Sequence, residues 1–260
     1  MLPGFFQGGK IEHMTATKPV LILQLRPEDS TSDSEYACFL KYGELRAEDT
    51  CRIRIETHGI SDDLMLDAYS AIIVGGSPFD ISIPSDKKSE IQKKIEADFN
   101  KLLKQVVSQD IPFLGACSGN GLLGNYLGTP ITSKYCEPVS CVTLDITEAG
   151  KQDKLLAGFP DKIDALLGHK EAVDTTPAGA TLLVTGSNCP VQMFRVGENV
   201  YATQFHPEGD AEEFCLRVDT YLNHGYFAPH EADEIKKRVS EKPTPYAQEI
   251  LRRFVEHYYR

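Results

Sequence analysis

Three runs of this 260-residue chain, Val20–Leu25, Ala71–Val74 and Pro112–Ala116, are almost wholly apolar and no longer than a strand. A strand without a wet face must be covered on both sides, and helices laid over a parallel sheet are the usual cover. Between the second and third runs, residues Ser89–Val107 repeat Ile91, Ile95, Phe99, Leu102, Leu103, Val106 and Val107 at helical spacing. Strand–helix–strand alternation of this kind predicts a layered α/β sheet with right-handed crossovers. Arg52–Thr57 instead alternates polar and apolar residues, which predicts a strand with one wet face.

After Tyr126 the rhythm changes. Val139–Thr147, Asp164–Leu167, Thr181–Thr185, Val191–Val196 and Val200–Phe205 are short strand-like segments joined by Gly, Pro and Asn turns, and they predict an antiparallel or mixed extension of the same sheet. Helices are expected over Asp210–Asn223, His230–Ser240 and Tyr246–Tyr259, with Pro243 and Pro245 dividing the last two. Residues 1–17 carry Gly4, Gly8 and Gly9 without a continuous apolar core, so they read as a leader or flexible extension and not as a secretion signal. The expected organisation is one domain over residues 18–225, with the helices of residues 226–260 packed on it.

Charge narrows the partners. Lys and Arg total 27 against 38 Asp and Glu, a formal net charge of −11, and a surface that acidic repels nucleic acid and anionic lipid. No apolar run approaches the length needed to span a bilayer. The seven cysteines are odd in number and lack C-x-x-C spacing, which suits free thiols in a reducing cytoplasm and offers no zinc-ligand pattern. Neither a metal nor a cofactor is expected. Tyr226, Phe227, Tyr258 and Tyr259 could form a docking face or homodimer contact, but packing of the tail onto its own sheet is the simpler account.

Two stretches could carry chemistry. In Gly115-Ala-Cys117-Ser-Gly119 an apolar strand ends and a small-residue helix begins. Glycines two before and two after let a sharp turn thrust the cysteine outward. At a helix N-terminus, free N–H groups favour thiolate and can receive an oxyanion. In Gln204-Phe-His206-Pro-Glu208 a strand ends in histidine, and the proline turns the chain so that the glutamate can fold back on the imidazole and fix its tautomer. Either pattern alone arises by accident in a few chains per hundred, and both together are far rarer. A third stretch, Gly75-Gly76 after a central strand, offers backbone N–H groups close to a substrate.

The Gly-Gly loop, the G-x-C-x-G elbow and the Q-F-H-P-E strand end, in that order, resemble the class I glutamine amidotransferases, especially stand-alone members similar to the glutaminase part of GMP synthase. The likeness covers roughly residues 18–225 and includes Leu166–Glu171, where the family carries a histidine-containing substrate loop around His169. It implies a flavodoxin-like three-layer sandwich with a central, mostly parallel sheet. It implies Cys117 as nucleophile, His206 as base and then acid, and Glu208 as the residue that orients it. Gly76, beside Gly75, and Ser118 would supply the oxyanion donors. The implied activity is hydrolysis of the glutamine side-chain amide through a γ-glutamyl thioester. The ammonia would go to a separate synthetase, since no nucleotide-phosphate loop occurs in the chain.

One departure from the family pattern matters: where the elbow usually continues C-x-G-x-Q, this chain has Gly121. A missing hydrogen bond to the substrate is worth about 1–3 kcal/mol of discrimination, enough to favour another γ-glutamyl amide or peptide. A non-catalytic regulatory homologue is the third reading.

Overall fold

The computed structural model describes residues 18–223 and 227–259. The 1–17 leader, the expected boundary after Gly225 and the side chain of Tyr226 lie outside them. In chain order the strands are β1 (Val20–Gln24), β2 (Thr50–Arg54), β3 (Ala71–Val74), β4 (Phe113–Ala116), β5 (Ile131–Thr132), β6 (Glu137–Ile146), β7 (Lys162–His169), β8 (Ala172–Val173), β9 (Ala180–Thr185), β10 (Met193–Val196) and β11 (Val200–Thr203). The helices are α1 (Asp29–Gly43), α2 (Ile55–His58), α3 (Glu90–Gln109), α4 (Ser118–Tyr126), α5 (Glu148–Lys151), α6 (Ala211–Thr220), α7 (Ala232–Val239) and α8 (Pro245–Tyr258).

Nine strands form one sheet in the order β2-β1-β3-β4-β11-β10-β9-β6-β7, and β5 pairs with β8. The block β2-β1-β3-β4-β11 is parallel throughout. That is the flavodoxin-like order, in which functional groups gather at the carboxyl ends of the strands. The remaining four strands add antiparallel ladders on the β11 side. The expected α/β sandwich with an antiparallel extension is the fold.

The continuous apolar runs are strands because both of their faces are buried. Val20 and Ile22 pack with Phe39 of α1 and Phe254 of α8, while Leu21 and Leu23 pack on the other layer with Phe99 and Leu103 of α3. The tail closes the first layer. Ile250, Leu251, Phe254 and Val255 of α8 are fully buried, each stabilising the fold by about 1.5–3 kcal/mol relative to exposure. Ile235 and Val239 of α7 pack against Phe214 and Val218 of α6 and Leu166 of β7.

Two local expectations need correction. The alternating segment is a strand only as far as Arg54, after which Ile55–His58 makes one helical turn that buries Ile55. The half-burial of every β2 residue reflects its place at the sheet edge. In α3, Ser89 caps the helix by accepting the Gln92 N–H, and Ile91, expected on the apolar stripe, lies exposed in the first turn. Helix α1 has no apolar stripe to announce it, because the face it buries includes Thr31, Ser32 and Glu35.

Candidate active site

The elbow is strained in the way its glycines require. Cys117 sits between β4 and α4 at φ 49°, ψ −96°, a conformation costing a non-glycine residue about 1–3 kcal/mol. Its N–H donates to Thr203 O at 2.8 Å, tying the bend to the end of β11. A side chain at Gly115 would stand 2.7 Å from the backbone carbon of Gly119, and one at Gly119 would stand 3.2 Å from Val74. The two glycines therefore let strand and helix meet.

From the end of β11 the chain continues to His206, whose N–H donates to Leu166 O at 2.9 Å. The turn through Pro207 brings Glu208 back, and its Oε1 lies 2.6 Å from His206 Nδ1. With Nδ1–H held by a carboxylate, the lone pair of the neutral ring resides on Nε2. His206 and Cys117 line the same cavity. The Gln204 amide approaches the Cys117 sulfur to 4.0 Å.

Around this pair lies a set of charges that no local motif announces. Arg26, Glu35, Glu208, Glu213 and Arg217 are all buried. Arg217 donates to Glu208 at 3.1 Å and pairs with Glu213. Its Nη1 stands 3.0 and 3.1 Å from the two ring nitrogens of His206. A nitrogen equally close to both must lie over the ring edge, because in the ring plane it would collide with Cε1. The guanidinium thus acts on the imidazole through its charge rather than as an in-plane donor. Burial, and after it Arg217, lower the His206 pKa to about 4. Burial would raise Glu208, but His206 and then Arg217 outweigh it and hold the carboxyl below the ordinary range. Burial pushes the Cys117 thiol up to about 11 against the pull of Arg26 and Arg217. With the thiol pushed up to about 11 and the imidazole down to about 4, the resting pair at neutral pH is thiol and neutral imidazole, not the thiolate expected from the elbow.

The N–H groups of both loop glycines are engaged within the fold. Gly76 N–H donates to Glu35 Oε1 at 3.1 Å, and Gly75 N–H donates to Leu23 O at 3.0 Å. Glu35 of α1, also bound by Arg26 Nε at 2.7 Å, is thus the acceptor that occupies the Gly76 N–H. The next residue, Ser77, lines both cavities that meet at Cys117, and Ser118 begins α4 beside it with its hydroxyl 3.4 Å from Ser77 O.

The second cavity is walled by Gly121, His169, Lys170, Glu171 and Gln204. His169 presents no spare nitrogen there: Nδ1 lies 3.0 Å from Glu171 O and Nε2 lies 3.1 Å from Glu137 Oε2. Glu171 in turn accepts the N–H groups of Ile81 and Ser82 at 2.6 and 2.8 Å, and Lys170 pairs with Asp80 at 2.6 Å. These residues clamp the loop after β3 to the end of β7. Among the described residues, one group has metal-ligand chemistry: Glu137, His169 and Cys189, with ligand atoms within 4.8 Å of one another. The hydrogen bonds from His169 and Gln192 to Glu137 account for most of that closeness.

A strained cysteine elbow and a carboxylate-held imidazole thus face one cavity at the carboxyl ends of the parallel strands. The chain belongs to the class-I glutamine amidotransferase family, whose model matches residues 45–236. Gamma-glutamyl peptidase 3 of Arabidopsis thaliana is 28% identical over 186 residues, covering 68% of this chain and 70% of that protein. A glutamine-hydrolyzing GMP synthase subunit from Sulfolobus acidocaldarius is 25% identical over 182 residues, covering 68% of this chain and 89% of that one. Of the longer GMP synthase of Campylobacter lari, this chain spans only 28%. Among solved structures, a glutamine amidotransferase of Thermotoga maritima superposes with a TM-score of 0.66 at 20% identity, over 91% of this chain and 98% of that one. No helix among the described residues is long and apolar enough to cross a membrane.

Proposed function

We propose that this protein is a cysteine hydrolase of γ-glutamyl amides, glutamine among them, acting through a thioester on Cys117. The observation that supports this most is the convergence of Cys117 and the Glu208-held His206 on one cavity. Because thiol and imidazole are both neutral at rest, His206 Nε2 takes the thiol proton as sulfur attacks the amide carbon, not before. The developing oxyanion meets the Ser118 N–H at the start of α4, with Ser77 N–H as the second donor in place of Gly76. The imidazolium, held by Glu208, gives its proton to the leaving nitrogen as the C–N bond breaks. Water, deprotonated by His206, then cleaves the thioester and restores the thiol. Relatives named as a glutamine-hydrolyzing GMP synthase subunit support a separate chain as the acceptor of ammonia.

A second reading, favoured by Gly121, is hydrolysis of a bulkier γ-glutamyl compound. A side chain at that position would stand 2.9 Å from Ile81 Cδ1 and displace it, so glycine leaves the wall beside the nucleophile free of a side chain. The peptidase relative points the same way.

Incubation with glutamine and a panel of γ-glutamyl amides, with free glutamate as the readout, tests the proposal. Cys117→Ser is expected to lose roughly a thousandfold or more, and an electrophilic glutamine analogue should label Cys117 in the parent protein. A parent protein inert towards the whole panel, alone or with a synthetase, and unlabelled at Cys117 would refute it.

A further inference from the structure

Two cavities share Cys117, Ser77 and Gly168, and only one of the two contains His206. If Cys117 forms a γ-glutamyl thioester, as proposed above, the nitrogen that His206 protonates must depart into the His206 side. The acyl part then occupies the side walled by Gly121 and Gln204. The leaving side is therefore a subsite whose walls can be read for what leaves.

Those walls do not suit ammonia. Phe214, Val218 and Phe227 supply an apolar surface, and Arg26, Arg217 and Tyr221 supply polar groups. The space amounts to about 450 Å³ including its solvent-open mouth. Arg217 is committed to Glu208, Glu213 and the ring of His206. Arg26 is not fully committed: Nε donates to Glu35 and Nη1 to the Tyr221 hydroxyl at 3.3 Å, while Nη2 has no hydrogen-bond acceptor among the described residues. This unused donor belongs to a side chain only 5% exposed, and it faces the reaction. A methyl placed on Gly76 would stand 2.5 Å from Arg26 Nη2 and 2.8 Å from His206 Cε1, so guanidinium and imidazole converge on one spot. A guanidinium nitrogen that reaches the cavity without a protein acceptor can receive a carboxylate arriving with the substrate in a charge-assisted hydrogen bond.

We propose that the leaving amine carries a carboxylate, received by Arg26 Nη2, and an apolar side chain, received by Phe214, Val218 and Phe227. The preferred substrate is then a γ-glutamyl amino acid rather than glutamine. The amide C–N bond breaks, the Cys117 sulfur–carbon bond forms, and the His206 proton leaves on the amino group of the released amino acid. Water then yields glutamate and the free thiol.

The test compares kcat/KM for γ-glutamyl-valine and its C-terminal amide, γ-glutamyl-valinamide, with the full chain and with Arg26→Gln and Arg26→Lys. The parent protein is expected to favour the acid by at least about tenfold, the scale of one charged hydrogen bond. That ratio should fall to near unity in Arg26→Gln and recover in part in Arg26→Lys. Product inhibition supplies an arm free of mutation: valine should inhibit the parent more strongly than valinamide. Turnover of both compounds with no preference for the acid, and equal inhibition, would overturn the subsite while leaving the thioester chemistry standing. No turnover of any γ-glutamyl compound and an unlabelled Cys117 would remove the thioester reading and the subsite with it.

Discussion

Adding one methyl at Gly76 probes the site where it is tightest. The backbone there needs no left-handed conformation, so Gly76→Ala acts through space alone. The new carbon would lie 2.8 Å from His206 Cε1 and 2.5 Å from Arg26 Nη2. Carbon atoms pack best at about 3.5–4.0 Å, so the imidazole must retreat by roughly 1 Å or the loop must shift as far. A misplacement of that size costs about a hundredfold in rate, equivalent to about 2.7 kcal/mol of transition-state stabilisation. Overpacking adds about 1–3 kcal/mol of destabilisation, or about 2–4 °C in Tm for each kcal/mol in a domain of this size. Gly75→Ala is the control: its methyl would strike the Glu35 carboxylate at 2.4 Å rather than His206. Both variants should melt lower, and Gly76→Ala should carry the larger loss in kcat/KM on a γ-glutamyl anilide. A Gly76→Ala protein with unchanged kcat/KM would refute the convergence of loop, guanidinium and imidazole described above.

The base must be neutral to act, and with its pKa near 4 the acid limb of kcat/KM should fall well below the ordinary histidine range. Arg217→Met removes a cation beside the ring and should move that limb upward; a limb near pH 6.5 in the parent protein would contradict the assignment. Glu213 is a buried carboxyl that desolvation raises to about 7, against the pull of Arg217 and Arg26. Its contribution to stability is therefore full below the unfolded carboxyl pKa and lost as pH rises towards 7. Relative to Glu213→Gln, the parent should lose up to about 3 kcal/mol across that window, read by denaturant melts at several pH values; a flat difference would exclude it. Gly121→Gln should fold, since the added side chain need only displace the end of Ile81. It should raise kcat/KM for glutamine relative to a bulky γ-glutamyl amide by about tenfold, and an unchanged ratio would show that position 121 does not set selectivity.

What could be read from the residues in order, and what could not, follows from how far each interaction reaches along the chain. Strands such as Ala71–Val74 announce themselves because burial on both faces leaves no polar position. The elbow and the His-Pro-Glu turn are local, and their glycines and proline are required by geometry within a few residues. Helix α1 escaped because it buries Glu35, whose partners Arg26, Gln24 and Gly76 come from other segments. Arg217 escaped for the same reason: four residues after Glu213 it reads as half of an exposed helical pair, and only the packing of α6 against α1 encloses it. A cue was present in the run of charges at residues 208–217, where arginine and glutamates crowd a helix that also needs an inward face. That the Gly76 N–H is occupied depends on Glu35 of α1, and the loop's own residues give no sign of it.

The parallel pairing of β4 with β11 has a consequence for the protein while it is being made. Cys117 and His206 follow the ends of adjoining strands, yet Gln204, just ahead of the imidazole, follows Cys117 by 87 residues. Arg217 of α6, which pairs with Glu208, is synthesised later still. A ribosome-bound chain that has produced only the first half therefore exposes a cysteine with no base to activate it. On the proposed mechanism, any fragment that stops short of β11 and α6 is a thiol without an engine.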